Sequence, residues 1–225
     1  MDFYFGKKYC IPISLGFGCA AAEFIAFCGK RDGVFYERQV FDWLGTNMWA
    51  ITELTENGFS DFLSPEYFAR RARFTYREDS WPTNIKYDIV FIHDFKLLDF
   101  MREFNEFKER YKRRVERYLS LLRSNNELLF LRVESDGTEV VHCPESRGNW
   151  SDELTPLRNF ALYLKKKGAK YSIIYLTYSG ATHWDPELRV CFVNFTKFSY
   201  RERFSAPMLE KILRDNLEFI KTSIN

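Results

Sequence analysis

Apolar residues along the chain fall into two kinds of run. Short continuous runs bounded by turn residues read as buried strands, and longer stretches with apolar residues every three or four positions read as helices. Residues 10–15 (CIPISL), 86–95 (KYDIVFIHDF), 127–133 (ELLFLRV), 169–180 (AKYSIIYLTYSG) and 188–195 (LRVCFVNF) are of the first kind. Helices are predicted over 19–29, from Thr46 or Asn47 to about Glu56, over 97–123, from Ser151 or Asp152 to Lys167, and over about 206–222. Gly29, Asn57-Gly58 and Gly168 supply three of the stops. The long helix carries a stripe of Leu97, Met101, Phe104, Phe107, Tyr111, Val115, Tyr118 and Leu122, a continuous helical spacing. Residues 64–84 are less regular and rich in arginine, and they read as an excursion or lid.

The order strand, helix, helix, strand, long helix, strand, helix, strand, strand, helix favours a largely parallel sheet between helical layers. The expected fold is a single α/β domain over residues 1–225, with a mostly parallel Rossmann-like sheet flanked by helices. The run Ile89–Ile92 is expected in that sheet, covered on both faces.

Composition narrows the function. The 225 residues suffice for a full core, and 18% of them are aromatic. A formal net charge of +2 argues against a protein that coats nucleic acid. Five dispersed cysteines with no CxxC pair argue against a disulfide scaffold and a zinc site of the usual spacing. The start MDFYFGKKYC lacks the apolar stretch of a signal peptide, and no run approaches membrane-spanning length, so a soluble cytoplasmic protein is expected. No cofactor or metal is expected, and the oligomeric state is open.

The candidate chemistry gathers where strand 10–15 runs through Gly16-Phe17-Gly18 into a helix opened by Cys19. Such a junction lies at the carboxyl edge of a parallel sheet, where ligands collect. The helix start offers free N–H groups and partial positive charge, which would favour a thiolate at Cys19 or hold an oxyanion. Cys19 is also a residue type that simply packs well beside Ala20–Ala22. His93 closes the 89–92 run and could serve Cys19 as general base. Asp94 follows it as a third candidate, although adjacent residues on an extended chain point opposite ways. His142 and His183 lie in loops and are weaker candidates, and no spacing supports a metal site built from His93, Asp94 and His183. Ser14, Gly16 and Gly18 could cradle a phosphate. Arg113 and Arg117, on one helix face with Arg110 and Arg114, could balance its charge or form a solvated face stitched by i,i+4 pairs. Asp42, between the aromatics of FDWL, could contact sugar hydroxyls or bond to nearby backbone.

The segments SLGFGCAAAEF, FDWL, NGFSDFL, FIHDF, KERYKRRVERYLSLL and LLFLRVE occur in the order of a family that the chain resembles over about residues 10–134. It is the domain-of-unknown-function family labelled putative papain-like cysteine peptidase, found in bacteria and large DNA viruses. The resemblance implies Cys19 as nucleophile, His93 as base, a peptide substrate and, as the alternative fold, a papain-like α+β arrangement. Three functions stay open: a cysteine hydrolase or peptidase, a glycosyltransferase taking a nucleotide-activated sugar at Gly16, Gly18, Arg113 and Arg117, and a non-catalytic binding module.

Overall fold

The strand β6 (Glu127–Val133) governs the layering. Successive strand residues point to opposite faces, and every residue of β6 from Leu128 onward is buried. Leu128 and Phe130 enter one hydrophobic core, while Leu129, Leu131 and Val133 enter another. A strand buried on both faces needs a layer on each side. A computed structural model of the protein describes residues 10–17, 19–31, 33, 36–72, 80–96, 99–134, 141–146, 148, 150–195 and 205–224, and both layers are there.

β6 pairs in parallel with β1 (Cys10–Ser14) and β7 (Lys170–Thr177). β7 pairs in parallel with β9 (Val190–Asn194), and β8 (His183–Asp185) closes that edge antiparallel. The helices α1 (Ala20–Arg31), α5 (Ala206–Asp215) and α6 (Leu217–Ile224) cover one face through Phe24, Ile25, Leu209, Leu213 and Ile220. The helix α4 (Leu154–Lys166) covers the other through Leu157, Phe160 and Leu164. The expected helix over 206–222 is thus two, divided at Asn216.

A mostly parallel sheet between helices is therefore present, but the Rossmann-like expectation needs correction in two respects. The order β1-β6-β7-β9-β8 carries its parallel strands across the sheet in chain order without reversing. A doubly wound fold opens its nucleotide crevice at such a reversal. Moreover, β5 (Ile89–Phe91) is not in this sheet. It belongs to an antiparallel sheet ordered β2-β5-β4-β3, with β2 (Leu44–Gly45), β3 (Phe68–Ala72) and β4 (Ser80–Asn84). The reason is a turn. The Asn84 side-chain carbonyl accepts the N–H groups of Lys86 and Tyr87, both at 3.1 Å, and Asp88 adopts a left-handed φ of 56°. That turn folds β4 back onto β5, and a hairpin is necessarily antiparallel. Part of the segment read as a lid is accordingly strand, and residues 73–79 of it lie outside the described residues.

The helix α2 (Met48–Glu56) starts at Asn47, whose side chain accepts the Ala50 N–H at 2.7 Å. The helix α3 (Phe104–Arg123) follows a 3-10 turn over Phe100–Glu103, later than the expected start at Leu97, itself outside the described residues. Its Phe104, Phe107, Tyr111 and Tyr118 pack with Phe41, Phe62, Phe68 and Phe91 in the core that also contains Ile13, Phe130 and Ile173, so one core joins the two sheets. Met101 is half exposed, and Arg114 takes a buried place on the apolar face. Among the described residues, no helix is long and apolar enough to cross a membrane.

Arg132 sits on the same face of β6 as Leu128 and Phe130 and is wholly buried. Its Nε and Nη2 donate to the two carboxylate oxygens of Glu153 at 2.7 and 2.6 Å. Its Nη1 donates to the Leu15 carbonyl at 2.8 Å, and Nη2 also to the Thr46 carbonyl at 2.9 Å. Glu153, just ahead of α4, accepts the Met48 N–H at 3.1 Å. Burial raises the Glu153 carboxyl above its ordinary value, and Arg132 pulls it back down. One ion pair thus ties the end of β1, the start of α2, β6 and the start of α4. Removing one partner of such a pair strands the other charge. Arg132→Met is therefore expected to cost about 3–5 kcal/mol, measured by urea denaturation. A cost under about 1 kcal/mol, as for an exposed pair, would contradict this role.

Candidate active site

Past β1 the chain turns sharply. Gly16 and Phe17 both take left-handed conformations, with φ of 74° and 57°. Gly16 is glycine for two reasons. Its φ is one that residues with a β-carbon rarely adopt, and a Cβ there would lie 2.1 Å from Thr46 Oγ1. Thr46 approaches so closely because its hydroxyl donates to the Leu15 carbonyl at 3.2 Å and accepts the Phe17 N–H at 3.4 Å. The buried Ser14 hydroxyl accepts the Gly16 N–H at 3.2 Å. Arg132 lies 5.7 Å from the Phe17 ring centroid, and Trp150 packs edge-on against that ring at 6.2 Å. Ser14 and Gly16 thus build the turn. Gly18 lies outside the described residues.

The turn delivers Cys19 to the mouth of α1, where its carbonyl accepts the Glu23 N–H at 2.8 Å. The N–H groups ahead of Glu23 have no acceptor within the helix. Cys19 is partly exposed, and its Sγ lies 3.2 Å from Nε2 of His93, an exposed residue just past β5. The two residues are 74 apart in sequence and arrive from different sheets. That distance is within reach for a thiol and its base.

Asp94 turns towards α3. Its carboxylate accepts the Tyr111 hydroxyl at 2.9 Å and lies 3.4 Å from Arg110 Nη2 and 3.8 Å from Arg114 Nη1. Arg110 also donates to the Asp94 carbonyl at 3.0 Å. Burial and the Asp94 charge push the Tyr111 hydroxyl well above its ordinary value. Arg117 donates to the Arg38 carbonyl at 2.5 Å and pairs with Glu37, while Arg113 is exposed. The basic face of α3 therefore braces residues 37–38 and 94. Among the described residues, Arg110, Arg114 and Arg117 make their contacts with that protein scaffold.

Residues 36–43 lead to Trp43, whose ring meets that of His93. The buried Asp42 accepts the Tyr36 hydroxyl at 2.6 Å and the Gln39 N–H at 2.7 Å. Trp43, next in the chain, has a left-handed φ of 65°, and its ring meets the His93 ring at 6.1 Å with planes at 90°. Neither Arg132 with its partners Thr46 and Glu153 nor Trp43 stood out in the sequence. An arginine inside the apolar run LLFLRV was the available signal, because a buried guanidinium demands partners. Nothing in FDWL announces a left-handed tryptophan. Among the described residues, no group of three or more His, Cys, Asp or Glu side chains could hold a metal ion.

Burial raises the Asp42 carboxyl from 3.8 to about 6, against the opposing pull of Tyr36, Gln39, Arg114 and Arg38. The sign follows from linkage. A carboxyl raised on folding stabilises the fold fully below its unfolded value, and the contribution is lost as pH rises through about 6. The gap corresponds to roughly 2–3 kcal/mol. Asp42→Asn should therefore lose less stability than the natural protein between pH 4 and pH 7, by about that amount, in urea denaturation at each pH. Parallel losses in the two proteins would refute the shift.

Comparison with known proteins adds one finding. Residues 11–146 match the model of the family described as putative papain-like cysteine peptidase (DUF1796). No curated protein and no solved structure matches the chain. The matched stretch exceeds half the chain and runs from β1 through β6, carrying Cys19, Trp43, His93 and Arg132. The chain belongs to this family of putative papain-like cysteine peptidases.

Proposed function

We propose that the protein is a cysteine-dependent hydrolase that cleaves peptide bonds, with Cys19 as nucleophile and His93 as general base. The observation that carries this reading is the 3.2 Å separation of Cys19 Sγ and His93 Nε2 at the mouth of a helix. Membership of a family described as cysteine peptidases supports the same class. His93 Nε2 takes the thiol proton as Sγ bonds to the scissile carbonyl carbon. The carbonyl oxygen becomes an oxyanion, and the N–H groups and partial positive charge at the start of α1 stabilise it. Collapse breaks the C–N bond, and His93 returns the proton to the departing amine. Water, deprotonated by His93, then attacks the thioester carbon and releases the acid and the free thiol. Asp94 serves in this reading by anchoring the chain beside His93 through Tyr111, Arg110 and Arg114.

The test uses Cys19→Ala, Cys19→Ser and His93→Ala against a library of fluorogenic peptides. Both cysteine variants are expected to lose turnover, and His93→Ala to fall about 10²–10⁴-fold, with melting temperatures near that of the natural protein. Full turnover in Cys19→Ala and Cys19→Ser would sink the cysteine mechanism.

A further inference from the structure

A thiol's base works best when a third group fixes its ring. No hydrogen-bond partner reaches the other ring nitrogen of His93 among the described residues, and the adjacent Asp94 is engaged with α3. The ring is met instead by the Trp43 indole, edge to face at 6.1 Å. Trp43 has the marks of a residue held in place for that contact. It belongs to neither hydrophobic core, although its neighbours Phe41 and Leu44 are wholly buried in one. Its left-handed backbone is unfavourable for a bulky side chain, and such conformations persist only where the surroundings over-determine them. The surroundings here do so. Asp42 locks the preceding turn through Gln39 and Tyr36, Arg38 lies over the indole at 5.3 Å, and Arg117 holds the Arg38 carbonyl. Among the described residues the buried indole N–H has no hydrogen-bond partner, so no hydrogen bond accounts for the ring's position.

We infer that Trp43 is a positioning residue: its ring confines the His93 imidazole to the orientation that faces Cys19, in the place where a hydrogen-bonding third member would otherwise stand. The inference rests on the Cys19–His93 reading, and it gives the basic face of α3 a purpose. Arg110 and Arg114 fix the chain at Asp94, and Arg117 fixes the chain that carries Arg38 and Trp43, so one helix sets His93 from both sides.

The test is the pH profile of Cys19 alkylation by iodoacetamide, read by peptide mass spectrometry between pH 5 and pH 9.5, with folding followed by circular dichroism. A base-paired thiol reacts below the range in which a free thiol ionises, about 8.5. Trp43→Ala is expected to move the profile up by about one pH unit and slow alkylation roughly tenfold at pH 6.5. Trp43→Phe, which keeps an aromatic edge contact, should retain most of the natural profile. If Trp43→Ala does not fold, Trp43→Leu against Trp43→Phe makes the same comparison. A folded Trp43→Ala or Trp43→Leu with the natural profile overturns the inference, as does a Trp43→Phe shifted as far as either. Loss of the fold in all three variants also overturns it, by making Trp43 a structural residue. Failure of the underlying reading looks different: the profile of the natural protein would then coincide with that of His93→Ala.

Discussion

The turn at Gly16 and Phe17 can keep its left-handed shape only while the carbonyls it buries find donors. Arg132 provides them. Its guanidinium bonds the Leu15 and Thr46 carbonyls and is itself balanced by Glu153. A buried ion pair is often no better than apolar packing of the same volume. This one differs because it also satisfies backbone groups that an apolar replacement would leave unpaired. Everything downstream depends on it: Thr46 is drawn so near that residue 16 has no room for a side chain, and α1 begins with Cys19 at its mouth. The same pair reaches α2 through the Met48 N–H and α4 through Glu153 itself.

The second requirement is that His93 comes from elsewhere. It is carried by β5, in an antiparallel sheet excluded from the parallel one, and the shared aromatic core under α3 holds the two sheets together. Phe91, the last residue of β5, packs on Phe107 and Tyr111 of α3, with ring centroids 5.1 and 5.6 Å apart. Asp94, three residues on, is gripped by Tyr111, Arg110 and Arg114. The chain on both sides of His93 is thereby fixed to one helix. The distance between the two candidate reacting atoms is set by packing over long sequence separations.

What could be read in the sequence follows from the range of each force. The junction at Cys19 was legible because a glycine turn between an apolar run and an alanine-rich helix start is a local signal. The helical layers and the parallel run of β1, β6, β7 and β9 were legible from apolar periodicity. The antiparallel sheet was not, because an apolar run of three or four residues carries no mark of its neighbours' direction, and the deciding Asn84 turn is made by a single side chain. The arginines of α3 were visible as charge, whereas the protein groups that Arg110, Arg114 and Arg117 contact, Asp94 and the Arg38 carbonyl, are set by the fold. Asp42 accepts a bond from nearby backbone at Gln39.

A nucleophilic Cys19 activated by His93 must become covalently acylated during turnover. Rapid acid quenching during turnover of an activated amide or ester, followed by peptide mass spectrometry across all five cysteines, reads this step. An acyl mass on Cys19 is expected to build up within the first turnover and to be lost in His93→Ala. Turnover with no acyl mass on Cys19, or with the mass on another cysteine, would rule out Cys19 as the nucleophile.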